Sequence, residues 1–189
     1  MLPQIPADHR IMYFERDRSA FGFMSHFHPA PIQLDGICWG TAEHFYQAQK
    51  SFVDAYREAI RQAPTPGKAK RLAADPRSGG ARAKHSWFRK NNELPRPDWM
   101  GAKLQIMRRA DFSKFTQHPA LGARLLATGN ADLIEDSPHD AFWGTGPDGT
   151  GENWAGRVLM EIRQALRTAP DRIAAHTLEL LAASSRVAG

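Results

Sequence analysis

The stretch WGTAEHFYQAQK, residues 39–50, marks a change from strand-like to helical patterning. Before it, the short apolar segment LDGICW is typical of strands joined by a turn at Asp35-Gly36. Within it, Thr41 is a favourable N-cap residue. The pattern after Thr41 predicts a helix to about Asp54, and a continuation over 55–63 is left open.

The predicted helix has a polar and an apolar face. Because a helix turns about 100° per residue, Glu43, Gln47 and Lys50 fall on one side. An apolar stripe is predicted opposite them, made of Phe45, Ala48 and Phe52. The simplest interpretation is that the polar face is a solvated surface.

The spacing of the charged residues on this face leaves a second interpretation open. Glu43 and Lys50 are seven residues apart, about 10.5 Å along a helix axis, which is too far for an ordinary i,i+4 ion pair. A carboxylate and an amine at this separation can hold opposite ends of a small ligand. His44 and Tyr46 flank them, so the face is also a candidate reaction site.

A second candidate group lies in RPDWMGAKLQIM, residues 96–107, where Trp99 and Lys103 share a helix face with apolar residues. One interpretation is snorkelling, in which the lysine stem packs and the amine reaches water. The other is an amine with perturbed protonation, or a phosphate anchor, beside an indole that can stack on a base.

A third candidate is the glycine-rich loop DAFWGTGPDGTGEN, residues 140–153. Its GTGPDG lacks the surrounding strand and helix of a dinucleotide-binding turn, and no GK[ST] follows. Asp140 and Trp143 precede the glycines, and Asn153 is placed to cap the next helix. The loop is either an ordinary turn-rich connection or a backbone that approaches a ligand phosphate closely.

The remaining pattern predicts an α+β fold: a predominantly helical single domain with a small N-terminal β-sheet. Short strands are predicted from IMYF, FGF and LDGICW within residues 11–40, and a basic loop over 75–97. We predict a domain over 11–168 and a C-terminal helical extension over 169–189. The predicted helices are 66–74, 98–115, 119–128, 154–168 and one from Pro170 onward.

Composition limits the class of protein. The chain has 189 residues with a net charge of +5, and its pI is about 9.7, which favours a partner that carries phosphates. The lone Cys38, expected to be buried beside Trp39, excludes an internal disulfide. His26 and His28 lack a third ligand, so no metal or cofactor is expected. Because the sequence has no long apolar run, we expect no membrane partner. We expect a cytoplasmic location.

The motifs together resemble those of the NADAR family, the YbiA-like N-glycosidases, over roughly residues 14–167. The matching segments are FMSHFHPAPI, WGTAEHFYQAQK, AIRQAPTPGKAKRLA, RPDW with the following K and IM, the run from KFTQHP to GTGEN, and AGRVLMEIRQAL. The resemblance implies a mainly helical α+β fold and cleavage of N-glycosidic bonds to ribose without a metal.

The resemblance also implies two substrate groups. One comprises phosphorylated ribosylamino-pyrimidine intermediates of riboflavin synthesis, and the other is ADP-ribose attached to guanine in DNA. Catalytic roles are implied for Glu43 and Lys50. Two positions depart from the family pattern: His26 stands where asparagine is usual, and Gly40 where proline is common. We expect substrate contacts from Trp39, His44, Tyr46, Asp98, Trp99, Lys103, Asp140, Trp143, Gly144, Gly146, Gly151 and Asn153.

Cleavage of a ribose–nitrogen bond places positive charge on C1′. The Glu43 carboxylate can stabilise this charge, or it can instead handle the proton that neutralises the leaving base. An unprotonated Lys50 can attack a ring-opened sugar as a Schiff-base nucleophile, which needs a pKa lowered by burial or by Lys103. The basic residues over 82–96 favour a polyanionic substrate or form a solvated loop. A non-catalytic module that binds ADP-ribose or modified nucleic acid is the alternative, and the oligomeric state is left open.

Overall fold

The computed structural model describes residues 9–14 and 19–168. Strands β1 to β3 comprise Arg10–Tyr13, Ile32–Leu34 and Ile37–Trp39, and β4 is Asp132–Glu135. The predominantly helical α+β prediction is confirmed. Helices α1 to α8 comprise Ala42–Ala48, Asp54–Arg61, Pro66–Leu72, Gly80–Lys84, Trp87–Lys90, Trp99–Gln117, Pro119–Leu126 and Trp154–Thr168.

Contacts group the described residues into two compact units. One unit is 29–110, and the other joins the described residues up to His28 with those from Asp111 onward. The domain boundaries predicted at residues 11 and 168 stay a prediction. The helix predicted from Pro170 and the extension 169–189 lie outside the described residues.

In the 29–110 unit, α1 packs against α2, α3 and β3. Strands β2 and β3 form an antiparallel hairpin, and its turn places Asp35 and Gly36 at φ values of 55° and 73°. Such positive φ values at both central residues suit Asp-Gly in a tight hairpin turn. The prediction of this turn from the sequence is confirmed.

The other unit contains a strand pairing that the sequence analysis missed. Strand β1 pairs in parallel with β4, with Ile11 opposite Leu133, and α8 packs on β4. A Cβ on Gly156 of α8 would collide with the carbonyl oxygen of Leu133, so glycine permits this close helix–strand approach. The predicted N-terminal sheet is therefore two separate two-stranded sheets.

Several local predictions were wrong. The FGF segment is not a strand, because Gly22–Met24 forms a 3-10 turn closed by local hydrogen bonds. The basic segment predicted as a loop contains the short helices α4 and α5. Cys38 is exposed rather than buried, because β3 alternates and Trp39 takes the inward position.

The helix predicted to reach Asp54 ends at Ala48. The Gln47 carbonyl accepts a hydrogen bond from the Tyr56 hydroxyl at 2.8 Å, and the Lys50 carbonyl accepts one from the Arg96 backbone N–H at 2.8 Å. In a continuing helix these carbonyls would bond to N–H groups four residues later. Partners distant in sequence therefore bond to one carbonyl in the last turn of α1 and to one just after the helix.

Candidate active site

The polar face of α1 is buried. Glu43 is 4% exposed and Gln47 is 3% exposed, so the interpretation as a solvated surface is wrong. The Gln47 Nε2 amide donates to Glu43 Oε1 at 2.7 Å. Gln47 Oε1 is buried and accepts no hydrogen bond from the residues that the structure describes. Since buried polar atoms are nearly always hydrogen-bonded, this acceptor suits a donor on a bound ligand or water.

Lys50 lies in the turn just after α1 and is half-buried. Its Nζ donates to the Ala73 carbonyl at 3.1 Å and lies 5.5 Å from the ring centroid of Trp99. One strong oxygen partner leaves an ammonium group with spare donors, since lysine has three. The amine is thus held in place without being enclosed by acceptors.

The pKa of Lys50 is lowered to about 8, chiefly by burial. Repulsion from Lys70 and Lys103 lowers it further, while attraction to Glu43 and Asp75 opposes the shift. At pH 7 a pKa of about 8 leaves roughly a tenth of the amine unprotonated, whereas an ordinary lysine leaves roughly 0.03%. Burial and Lys103 both act as the sequence analysis expected, with burial the larger cause.

His44 is engaged at both ring nitrogens. Nε2 donates to the Ala63 carbonyl at 3.0 Å, which leaves Nδ1 to accept from the Thr41 hydroxyl at 2.8 Å. Burial is the largest effect on the pKa of His44 and lowers it. Thr41 is also the confirmed N-cap, because its side chain accepts from the His44 backbone N–H. His44 therefore anchors α1, and contact with substrate stays a prediction.

The aromatic candidates of this unit divide into two pairs. Tyr46 and Trp99 lie 5.0 Å apart between ring centroids, next to the Lys50 amine. Trp39 packs edge-on against Phe45 at 5.8 Å and is 1% exposed. Its Nε1 donor is buried with no acceptor in the described part of the chain. Trp99 is thus the aromatic candidate whose ring the amine lies over.

Lys103 and Asp98 have different surroundings. Lys103 is 9% exposed and close enough to Lys50 to lower its pKa. Asp98 is exposed, and both of its carboxylate oxygens accept from the Arg96 guanidinium at 2.5 Å. This fork holds the pKa of Asp98 below its ordinary value. Its side chain therefore binds Arg96, and a role for it in substrate binding stays a prediction.

Six predicted site residues lie in the glycine-rich loop of the other unit. Asp140 Oδ1 accepts from the backbone N–H groups of Phe142 and Trp143 at 3.1 and 2.9 Å, which shapes the turn before the glycines. Trp143 makes edge contacts with the rings of Phe142 and His26. The loop is therefore an ordered turn with a held indole.

The loop glycines allow close contact within the protein. A Cβ on Gly144 would lie 2.7 Å from the Glu135 carbonyl oxygen, and one on Gly151 would collide with the Gly144 carbonyl oxygen. Gly146 has a φ of 69°. Asn153 does not cap α8 with its side chain, which bonds to Leu133 and Glu135 of β4. Close approach of these glycines to a ligand stays a prediction.

The two histidines that were considered as metal ligands, His26 and His28, have separate surroundings. His26 Nε2 bonds to the buried carboxylate of Asp111 at 2.9 Å. The pKa of His28 is lowered to about 4 by burial and by neighbouring cations, so His28 is neutral near pH 7. No group of three potential metal ligands converges among residues 9–14 and 19–168.

The structure brings the predicted residues together in two sets, one in each unit. The 29–110 unit holds Trp39, Glu43, His44, Tyr46, Lys50, Asp98, Trp99 and Lys103. The other unit holds Asp140, Trp143, Gly144, Gly146, Gly151 and Asn153. The first set contains both predicted catalytic residues and is the candidate active site described here.

Sequence reasoning missed three contributors to the first set. Gln47 was placed on the polar face but not assigned to the site, although it binds Glu43 directly. Phe52 was assigned to the apolar stripe but is 71% exposed. Arg96 was counted only as part of a basic segment, yet its backbone N–H bonds to the Lys50 carbonyl. The one local signal available was an amide four residues after the predicted catalytic carboxylate, on the same helix face.

The basic segment 82–96 contains side chains that are open to solvent. Arg82, Lys84, Arg89 and Lys90 are all exposed, and none forms an ion pair within the described residues. A nearby cavity of about 580 Å³ is lined by Pro76, Arg77, Phe88, Arg89, Asn92, Glu93 and Leu94. These cations are available to an anionic partner.

None of the helices in the described part of the chain has the length and apolar character that a bilayer crossing requires.

Comparison with known proteins identifies the family. The NADAR domain model matches residues 12–167. N-glycosidase YbiA of Escherichia coli is 41% identical over 156 residues, covering 82% of this chain and 88% of that protein. An N-glycosidase of Nostoc punctiforme is 36% identical, covering 82% of this chain and 92% of that protein. A riboflavin biosynthesis protein of Vibrio vulnificus is 36% identical and is covered over 38% of its length.

A solved structure agrees with this assignment. The NMR structure of the E. coli protein YbiA superposes with a TM-score of 0.69 at 38% identity, covering 85% of this chain and 86% of that chain. The family model extends over both sets of predicted residues. This chain belongs to the NADAR domain family.

Proposed function

We propose that this protein hydrolyses the N-glycosidic bond between a ribose and a nucleobase-like group, with Glu43 and Lys50 as its catalytic residues. Its class, a hydrolase of N-glycosyl compounds, follows from its membership of the NADAR family and from relatives that bear the name N-glycosidase. The bond and the residues are our proposal.

One observation carries the proposal: a buried carboxylate in the first turn of α1 lies within electrostatic reach of an amine with a lowered pKa just after that helix. Glu43 is buried, and the pKa of Lys50 is about 8. Burying charges is costly, so an acid and an amine that do not bond to one another need another reason to be there. Catalysis at a sugar carbon that becomes positively charged supplies such a reason.

In the proposed reaction the sugar ring opens, so that C1′ is held to the base nitrogen by a C=N bond, and the neutral Lys50 Nζ adds to C1′. A proton passes from Nζ to the base nitrogen, the C1′–N bond to the base breaks, and a C1′=Nζ Schiff base remains. Water then adds to the Lys50 Schiff base, which releases the sugar as an aldehyde and restores the amine. The Glu43 carboxylate stabilises positive charge at C1′, and Gln47 holds it in position.

The preferred substrate in this proposal is a phosphorylated ribosylamino-pyrimidine of the riboflavin route. Relatives of Vibrio vulnificus and Zea mays are named riboflavin biosynthesis proteins, which supports this choice. The second candidate is ADP-ribose attached to guanine in DNA. The exposed cations Arg82, Lys84, Arg89 and Lys90, which form no ion pair within residues 9–14 and 19–168, favour it, because they suit a polyanion.

Mass spectrometry on both substrates tests the proposal. We expect wild-type protein to release the pyrimidine from the ribosylamino phosphate, and Glu43→Ala and Lys50→Ala to lose that activity. Borohydride added during turnover should trap a sugar adduct on Lys50 in the wild type. Release of ADP-ribose from ADP-ribosylated DNA instead would select the second candidate.

Lys50→Arg serves as the matched control, because arginine keeps the positive charge but cannot form the Schiff base. Full activity of Lys50→Arg would contradict the covalent role. Binding of either substrate without any product, in wild type as in the variants, would favour a non-catalytic module that recognises ADP-ribose or modified nucleic acid.

A further inference from the structure

Phe52 is an exposed aromatic residue beside the candidate active site. Its side chain is 71% exposed, in the extended segment between α1 and α2. Most large apolar side chains near Lys50 are buried, including Phe45 at 0% and Tyr46 at 6%. A large apolar ring left in water at the edge of a site is a common mark of an interaction surface.

Arg96 holds the Phe52 ring from one side. The guanidinium carbon of Arg96 lies 4.4 Å from the ring centroid of Phe52. The guanidinium is itself fixed by two hydrogen bonds to Asp98. Since one face of the ring is covered while the side chain stays 71% exposed, the other face is open to solvent. The ring is therefore a preorganised platform with one free face.

This platform is tied to the backbone that carries the Lys50 amine. The Arg96 N–H bonds to the Lys50 carbonyl at 2.8 Å, and Phe52 follows Lys50 by two residues. The Cα atoms of Lys50 and Phe52 therefore lie no more than about 7.5 Å apart. Asp98, which fixes the guanidinium, directly precedes Trp99, whose ring lies 5.5 Å from the amine. A ligand at the amine can thus extend to the platform.

We infer that Phe52 and Arg96 form a stacking site for a planar heteroaromatic ring of the substrate. The inference deepens the proposed function and rests on it, because the ring would be part of the molecule that Lys50 attacks. The open face of Phe52 supplies the stacking surface, and the guanidinium behind it keeps the ring from turning away. Stacking of this kind tolerates different bases, because every base has a π-face.

Calorimetric binding of two probes tests this site. Guanosine 5′-monophosphate has a planar ring, whereas ribose 5-phosphate has the sugar and phosphate alone. We expect wild type to bind guanosine 5′-monophosphate more tightly than ribose 5-phosphate. Phe52→Ala should weaken the binding of guanosine 5′-monophosphate on the order of tenfold and leave the affinity for ribose 5-phosphate unchanged. Phe52→Trp should retain the preference, and Phe52→Leu, which is apolar but not aromatic, should lose most of it.

Phe14→Ala is the matched control, because Phe14 is another exposed phenylalanine, 49% exposed, outside the 29–110 unit. It should bind both probes like wild type. An unchanged preference in Phe52→Ala would overturn the inference, and so would a wild type with no preference for the ring. Lys50→Arg should keep the preference while losing turnover, so failure of the stacking site and failure of the proposed chemistry give different results.

Discussion

Lys50 and Lys114 are two lysines with the same lowered pKa and different surroundings. Burial lowers the pKa of each to about 8. Lys114 is 0% exposed, and its Nζ donates to the carbonyls of Ser25 at 2.8 Å and Met24 at 3.4 Å. Lys50 is half-buried and donates to one carbonyl, that of Ala73. One amine is enclosed, whereas the other is partly open.

The difference shows that a lowered pKa does not by itself mark a catalytic lysine. The Lys114 amine holds the end of the 3-10 turn Gly22–Met24, with the carboxylate of Asp111 nearby to favour its charge. These hydrogen bonds give the Lys114 amine a structural role. Both amines lie over an aromatic ring, Trp99 for Lys50 at 5.5 Å and Phe115 for Lys114 at 4.9 Å, and both are within electrostatic reach of a buried carboxylate. Access to a ligand, rather than pKa, separates the two.

The largest expected effect is on activity. Lys50→Ala should lower kcat/KM for the cleaved substrate by at least about 10³-fold, because the nucleophile is lost. Lys50→Arg should be nearly as inactive. Both should unfold like wild type in urea within about 1 kcal/mol, since the site is near the surface. Steady-state kinetics with a product assay measures the loss.

A Lys114→Met variant that lost activity to the same extent while remaining folded would break the comparison. It would mean that the enclosed amine also takes part in the reaction.

The pH dependence of activity gives the second effect. If, as proposed, only the neutral Lys50 amine attacks, kcat/KM should rise about tenfold per pH unit below the pKa and level off above about pH 8. An ordinary lysine would delay this plateau to about pH 10.5. A pH–rate profile measures the midpoint. Activity that falls as pH rises through 8 would instead assign Lys50 a role as a cation.

Lys114 should affect stability. Lys114→Ala removes the amine from the Met24 and Ser25 carbonyls, of which that of Ser25 keeps a bond from the His28 N–H, and opens a cavity, which should destabilise the fold by about 2–4 kcal/mol. Lys114→Met preserves most of the volume and should lose less. Urea unfolding followed by circular dichroism measures both, and the activity per folded molecule should be retained. A fully stable Lys114→Ala would contradict the structural role.

The lowered pKa of Lys114 also predicts how the stability of the fold changes with pH. The folded pKa of Lys114 is lower than the unfolded value, so the folded state releases its proton first. The free energy of unfolding should therefore rise between about pH 8 and 10.5, by at most about 3 kcal/mol relative to Lys114→Met. Urea unfolding of both proteins over this range shows whether the difference appears.

The smallest effect concerns Trp99. An indole near an ammonium stabilises the charged form by about 0.5–1 kcal/mol. Trp99→Leu should therefore lower the pKa of Lys50 by about half a unit, which moves the midpoint of the pH–rate profile downward. A matching Trp99→Phe variant should shift it less. An upward shift would show that the indole acts mainly by excluding water.

Local patterns in the sequence predicted much of the fold correctly. The N-cap at Thr41, the turn at Asp35-Gly36, and the starts of α3 and α7 at prolines were all anticipated. These features depend on hydrogen bonds between neighbouring residues and on the dihedral preferences of individual residues, so a short window contains the necessary information.

The residues of the candidate site were proposed from the sequence, but their burial was not predicted. The sequence placed Glu43, Gln47 and Lys50 on one face, yet periodicity favoured a solvated surface. Burial of that face depends on what packs over α1, including α2 and α3, which a helical pattern cannot specify. The lowered pKa of Lys50 has the same origin, since burial is its largest cause.

The sequence by itself determined where α1 begins and which polar side chains it can present, because capping and helical periodicity are local. Tertiary structure decided where α1 ends, through the bond of Tyr56 to the Gln47 carbonyl in its last turn and the bond of Arg96 to the Lys50 carbonyl just after it. It also decided that Phe52 is exposed, that β1 pairs with β4, and that one lysine is enclosed while another is open. The physical reason is that these outcomes depend on contacts between residues distant in sequence, which become adjacent only when the chain folds.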